Sequence, residues 1–330
     1  MVLSPIRRFS FALATTALFA GCSGAPSSLP SNPTADQAPT GNAVQMMTGR
    51  FASPDAHRMV LYEGSYNFAP GVGQVLVYTS NLKAHNPQAL RSINDDTVRP
   101  NGLWVDKHGD LWVVNIPQGA PTTGIFVYHA GKSVPFRHLI DQLVEPSEVA
   151  VAADGTAYVN QRTCPNIAGD CVTVFPPGSN HASRTIDMHF SGYATSAGEE
   201  AFDQSGNLLV AESNFKQGLH IFRVTPGTFT VTDLGLHLGV DGPGLAVDGA
   251  GNIYVSGIGA GSIDVFAPGS LDPSRVLNGG AYDITTLADG TLYANVYGSI
   301  TEYAPGAIDP TNQFYSSGNY GIGVAIGPRS

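Results

Sequence analysis

Six polar side chains recur at one kind of position along the chain: Asn101, Glu148, Glu199, Glu200, Asp241 and Asp283 each precede or open an apolar segment. Five carboxylates and an amide in that setting favour a cation or a polyol, through charge and hydrogen-bond acceptance. No catalytic residue can be assigned beside them. The chain has no Gly-x-Ser-x-Gly elbow, no His-Glu-x-x-His and no Walker loop, and its nine histidines show no paired ligand spacing. Of the three cysteines, Cys164 and Cys171 are separated by six residues. A redox pair would read Cys-x-x-Cys and a zinc site would need two further ligands nearby, so a structural disulfide is expected if the chain is exported.

The elements that must hold these residues are strands. Gly 39 and Pro 23 among 330 residues would break an all-helical protein repeatedly, so an all-β fold is favoured. Only 13% of residues are charged, about half the usual share, while 42% are hydrophobic, which excludes a disordered chain. From about residue 56 a unit repeats. Its first mark is a strand, an Asp/Gly turn and a second strand, as in Gly102-Leu-Trp-Val-Asp106-Lys-His-Gly109-Asp-Leu-Trp-Val and Gly244-Leu-Ala-Val-Asp248-Gly-Ala-Gly251-Asn-Ile-Tyr-Val. The turn glycines are 109, 155, 206, 251 and 290, at intervals of 46, 51, 45 and 39. A second mark, an apolar strand running into a Gly turn, ends at glycines 131, 178, 227, 269 and 306, at intervals of 47, 49, 42 and 37. Both marks describe one unit of four short strands, whose turn aspartate can accept from the turn's own amides.

Four-stranded units of this period are blades of a β-propeller. Five complete units occupy about 97–318. The leftover Gly321–Gly327 reads as a first strand, and 57–62 and 73–78 read as a second and third, so the chain ends join in a sixth blade and close the ring. The six polar residues then gather at the mouth of the central channel. Glu200 occupies the register of Leu103, Val149, Leu245 and Ile284, where an unpartnered carboxylate is expensive to bury. Either it turns into the water-filled channel, or the Glu199-Glu200 pair shifts the strand locally.

Residues 1–21 carry Arg7, Arg8, an apolar run and Leu18-Phe-Ala-Gly-Cys22, which resembles a bacterial lipobox despite Phe19. The resemblance implies a lipoprotein signal peptide over 1–21, lipidation of Cys22, and a place at the cell envelope, on the outer membrane or cell surface. Plain secretion is the alternative. Residues 22–55, rich in Ser, Pro, Ala and Thr, read as a flexible tether to a propeller domain over 56–330. Cleavage after residue 21 leaves 14 basic against 26 acidic residues, a net charge of −12. That argues against nucleic acid as a partner, and against attraction of the folded body to an anionic membrane surface.

Gly-Leu-Ala-Val-Asp-x-x-Gly-Asn-Ile-Tyr-Val-Ser at 244–256 and its siblings resemble NHL repeats and six-bladed gluconolactonase-like propellers. In the latter a Glu, an Asn and an Asp hold a divalent metal at the channel mouth. Arg99-Pro-Asn101-Gly-Leu103 is similar to the asparagine segment and Gly198-Glu199-Glu200-Ala-Phe-Asp203 to the glutamate segment. Asp241 lies four residues before Leu245 where Asn101 lies two before Leu103, so Pro243 fills the ligand slot, and Asn101 and Asp241 fall on opposite sides of the ring. The expected function is a binding module at the envelope, without cofactor and monomeric, contacting an envelope protein or a small polar or carbohydrate ligand. The alternative is a calcium- or zinc-dependent lactonase with Asn101, Glu200 and Asp283 around one axial point.

Overall fold

The computed structural model describes residues 59–66, 73–79, 87–94, 99–116, 123–189, 194–214, 218–242, 244–257, 261–315 and 321–328. The segments read above as signal peptide and tether, with Cys22, lie outside the described residues. Twenty-four strands form six antiparallel sheets of four. Blade 1 holds β1 (Met59–Tyr66), β2 (Gly73–Thr79) and β3 (Arg91–Ile93). Blade 2 holds β4 (Pro100–Val105), β5 (Leu111–Asn115), β6 (Gly124–Tyr128) and β7 (Arg137–Leu139). Blade 3 follows with β8 (Pro146–Val151), β9 (Ala157–Gln161), β10 (Cys171–Phe175) and β11 (Arg184–Asp187). Blade 4 consists of β12 (Ala194–Phe202), β13 (Leu208–Asn214), β14 (Gly218–Thr225) and β15 (Thr230–Asp233). Blade 5 has β16 (Gly244–Val247), β17 (Ile253–Gly257), β18 (Ser262–Phe266) and β19 (Arg275–Asn278). Blade 6 has β20 (Asp283–Thr286), β21 (Leu292–Val296), β22 (Ser299–Tyr303) and β23 (Asn312–Tyr315).

The last strand, β24 (Gly321–Pro328), returns to pair with β1 and becomes the first strand of blade 1, in the register Tyr62↔Ala325 and Glu63↔Val324. The two chain ends therefore close the six-bladed ring. Strands β24, β4, β8, β12, β16 and β20 each touch the first strands of both neighbouring blades, and so line the axis. All six run from an entry end, where the polar residues stand, to a hairpin end.

Turn chemistry sets the hairpin end. The glycines at 109, 155, 206, 251 and 290 have φ of 83°, 91°, 78°, 85° and 89°, where a Cβ would be strained. The aspartates beside them are bonded inward. Asp248 Oδ1 accepts from Ala250 N and Asn252 N at 2.9 Å each, while Oδ2 accepts from Asn252 Nδ2 at 2.7 Å and Tyr254 OH at 3.0 Å. Asp106 caps its own turn in the same way and receives Trp112 Nε1 at 3.0 Å. These carboxylates are turn residues, as their pattern implied.

Alternating side chains of each sheet bury against the next blade. Trp104, opposite Trp112 across the β4–β5 ladder, packs edge-on against Phe202 with centroids 5.9 Å apart, and both tryptophans are buried. Between the outer strands, arginines reach across blade boundaries. Arg91 Nη1 donates to Lys132 O at 3.0 Å, Arg137 Nε to Asn180 Oδ1 at 2.8 Å and its Nη2 to Ser179 O, and the Arg184 guanidinium lies 4.4 Å over Phe229. The disulfide Cys164–Cys171 pins the loop between β9 and β10 at the entry end.

Candidate functional site

The inner edge of each first strand faces the axis with unpaired N–H groups, the usual liability of a sheet edge. Carboxylates meet four of them at one register. Glu199 Oε2 accepts from Leu245 N of blade 5 at 2.7 Å and its Oε1 from Ile284 N of blade 6 at 3.3 Å. Asp283 Oδ2 accepts from Val324 N of blade 1 at 2.5 Å. Glu148 Oε1 accepts from its neighbour Val149 N at 3.3 Å. The Glu148 carboxylate can lie there because residue 102 is glycine: a Cβ on Gly102 would stand 2.4 Å from both carboxylate oxygens.

Glu148, Glu199 and Asp283 are all less than 9% exposed. Glu199 and Asp283 also share a side-chain hydrogen bond, which requires a proton between them. Burial raises the Glu199 carboxyl well above its ordinary range, Asp283 and Glu148 push it the same way, and the Leu245 N–H opposes them. The axial pair is thus a carboxyl sharing a proton rather than two free anions.

Glu200 corrects one of the two expectations for it. It does not turn into the channel, being 2% exposed and set over blade 3 beside the main chain of Ala150 and Asn160. The strand irregularity lies just upstream, between Ala197 and Glu200, after which Glu200↔Val210 resumes the common register. Neither carboxylate oxygen has a hydrogen-bond partner at normal geometry. Burial above all, then Glu148 and Glu212, hold this carboxyl protonated well above the ordinary carboxylate range. Asp241 is exposed before β16, with Oδ1 against the α-carbon face of Gly257.

Three parts of the site escaped the sequence. The residues ending the second strands, Asn115, Asn160, Glu212, Ser256 and Asn295, are fully or almost fully buried polar groups. Asn160 Nδ2 donates to Gly198 O at 3.1 Å, Ser256 Oγ to Ala281 O at 2.9 Å and Asn295 Nδ2 to Gly323 O at 3.3 Å, each into the next blade's first strand or the residues leading to it. Asn101 Nδ2 makes the same kind of latch to Ser147 O at 2.9 Å. Beyond Asn160, Glu212 and Asp170 form a second proton-sharing carboxyl pair, with Asn160 Nδ2 3.1 Å from Glu212 Oε1. Burial raises Asp170 to about 6, against the lowering pull of Glu212 and Arg162. The only available signal was a polar residue recurring after Val-Val, Val, Val-Ala, Val and Ala at the ends of the second strands.

The donor set does not fit a divalent metal. Asn101 is turned to the main chain of blade 3, both Glu199 oxygens serve N–H groups, and Glu200 lies between blades rather than on the axis. Among the described residues no three His, Cys, Asp or Glu side chains converge on one point. What remains is a cluster of polar side chains at the entry end, held by main-chain N–H groups around the channel.

No family model matches the chain, and no curated protein matches it in sequence. Solved structures match the fold. A Bacteroides caccae protein of unknown function aligns with a TM-score of 0.59 at 12% identity, over 82% of this chain and 99% of that one. A candidate 6-phosphogluconolactonase from Bacteroides fragilis aligns at 0.53 and 16%, over 80% and 83%. A Lactobacillus plantarum protein aligns at 0.53 and 12%, over 82% and 99%. At these identities the likeness shows the propeller architecture alone.

Proposed function

We propose that the chain is an exported, lipid-anchored NHL-like propeller that acts as a binding module at the cell envelope. Its ligand site is the entry end of the channel, and its ligand a small polar molecule rich in hydroxyl or amino groups, such as a carbohydrate. The carrying observation is the axial carboxyl set. Glu148, Glu199 and Asp283 are brought together beside the axis at the entry end and are held there by hydrogen bonds from main-chain N–H groups. Such a rigid, preformed polar set suits recognition.

Metal-assisted lactone hydrolysis, the reading that the Bacteroides fragilis neighbour raises, would use a Lewis acid held by several convergent oxygens. Asn101 and Glu199 are committed elsewhere, which favours binding over that chemistry. The test is thermal unfolding of the mature chain against a panel of neutral sugars, amino sugars and polyamines. A midpoint that rises with one class and loses the rise in Glu148→Gln supports the proposal. No response to any class, or a response untouched by that change, overturns it.

A further inference from the structure

The hairpin end is not uniform. Only two lysines occur among the described residues, and both stand in the turns of blade 2: Lys107 in the β4–β5 hairpin and Lys132 in the β6–β7 turn. The corresponding turns of blades 3 to 6 read Ala-Asp-Gly-Thr, Asp-Gln-Ser-Gly, Asp-Gly-Ala-Gly and Ala-Asp-Gly-Thr, with Pro-Gly at the other turn, and carry no cation. Arg91, at the start of β3, joins the two lysines by donating to Lys132 O at 3.0 Å. Of nine Lys and Arg among the described residues, Arg91, Lys107, Lys132 and Arg137 stand at this end of blades 1 and 2, in a chain whose net charge is −10.

Large apolar side chains stand exposed in the same place. Leu90 is 50%, Val134 68% and Phe136 49% exposed. Phe136 is held in position by stacking on His129 at 3.7 Å, and His129 is bonded to Asp110 beside the Lys107 hairpin at 3.0 Å. Exposed apolar residues also occur at this end of blades 5 and 6, at Leu271 and Ile308, but there Asp272 and Asp309 follow them directly. Arg275 also stands with Leu271, Val276 and Ile308 at this end of blades 5 and 6, but the exposed Asp272 and Asp309 offset its charge there, whereas the blade 1–2 sector holds two lysines and Arg91.

The chain from the N-terminal segment enters the fold beside this sector. β1 begins at Met59 opposite Pro328, at the hairpin end. The adjoining Gly327 packs directly on Val105, two residues before Lys107, since a Cβ on it would stand 2.5 Å from Val105 Cγ1.

We infer that Leu90, Arg91, Lys107, Lys132, Val134 and Phe136 form a surface that docks the propeller on an anionic phospholipid bilayer, with the channel entry facing away. The setting rests on the lipid-anchored reading above. Cations within a Debye length of anionic headgroups bind locally, while the acidic remainder of the molecule lies farther off and is screened. The apolar side chains enter the headgroup boundary, as on other membrane-surface faces.

The test separates the surface from the anchor. Mature chain 22–330 bearing Cys22→Ser is sedimented with vesicles of pure zwitterionic lipid or with about one third anionic phospholipid. Binding is expected on the anionic vesicles, weakening in high salt. Lys107→Glu with Lys132→Glu lowers the partition coefficient about tenfold or more, as does Val134→Ser with Phe136→Ser, whereas Ile140→Glu, at an exposed position of the entry end, leaves it unchanged. Variants are first matched to the parent in melting temperature. No binding to anionic vesicles, or binding equal in the Lys107/Lys132 variant, overturns the inference. So does salt-sensitive capture of an acidic protein without vesicle binding, which would assign the surface to a protein partner. Mass measurement of the exported wild type reads lipidation of Cys22 independently, so loss of the anchor and loss of the surface are told apart.

Discussion

Glu199, Glu200, Glu212 and Asp170 are carboxyls that the folded chain holds in their protonated form more strongly than the unfolded chain does. For each, burial is the first cause and a neighbouring carboxyl adds to it in the three glutamates. A carboxyl whose value is raised on folding contributes stability that is complete below its unfolded value, near 4, and is lost as pH rises through its folded value. For Asp170 that upper limit is about 6, and the glutamates extend the loss above the ordinary carboxylate range. The melting temperature should therefore fall by several degrees between pH 5 and pH 8. Glu200→Gln, which keeps the shape of the protonated side chain, should raise melting at pH 8 by a few degrees and change it little at pH 5. A variant that melts lower than wild type at pH 8 would show that Glu200 is needed as an anion.

At the scale of the element, the hairpins carry the repeat. Asp248 is 3% exposed and accepts four hydrogen bonds. Asp248→Ala leaves buried donors unpaired and should cost about 2–4 kcal/mol in denaturant unfolding; a loss below about 0.5 kcal/mol would contradict the account. These elements were legible in sequence because their requirements are local. A hairpin at positive φ selects glycine, its cap selects aspartate, and both recur with the period of the blade. The polar residues closing the second strands were not legible. Asn160 and Asn295 look like any strand-end asparagine until the ring brings Gly198 and Gly323 within reach. Glu200 failed for the same reason: its apolar register was correct, but which blade would cover it depended on the bulge between Ala197 and Glu200.

For the whole molecule, closure by the two chain ends was readable from the leftover strands, and β24 pairs with β1 as they implied. Ending the chain before Gly321 removes the first strand of blade 1, bares the edge of β1 and uncovers the faces of β4 and β20 that pack on it. The truncated protein should lose cooperative melting and aggregate, by the general hazard of open edges; a monomer with unchanged melting would refute closure as a source of stability. The candidate site is a property of that closed ring, since Glu199 of blade 4 bonds blades 5 and 6 and Asp283 of blade 6 bonds blade 1. Its six polar residues were findable by position in the repeat, but not their partners, because those come from other blades.

These channel carboxyls are satisfied by main-chain N–H groups, which supports our proposal that they serve recognition rather than metal chemistry. Elemental mass spectrometry on the purified mature chain, paired with melting in the presence and absence of chelator, tests it most directly. The expected result is well under one calcium or zinc per chain and the same melting temperature in both conditions. Near-stoichiometric metal, with melting lowered by chelator and the metal lost in Asn101→Ala, would contradict it.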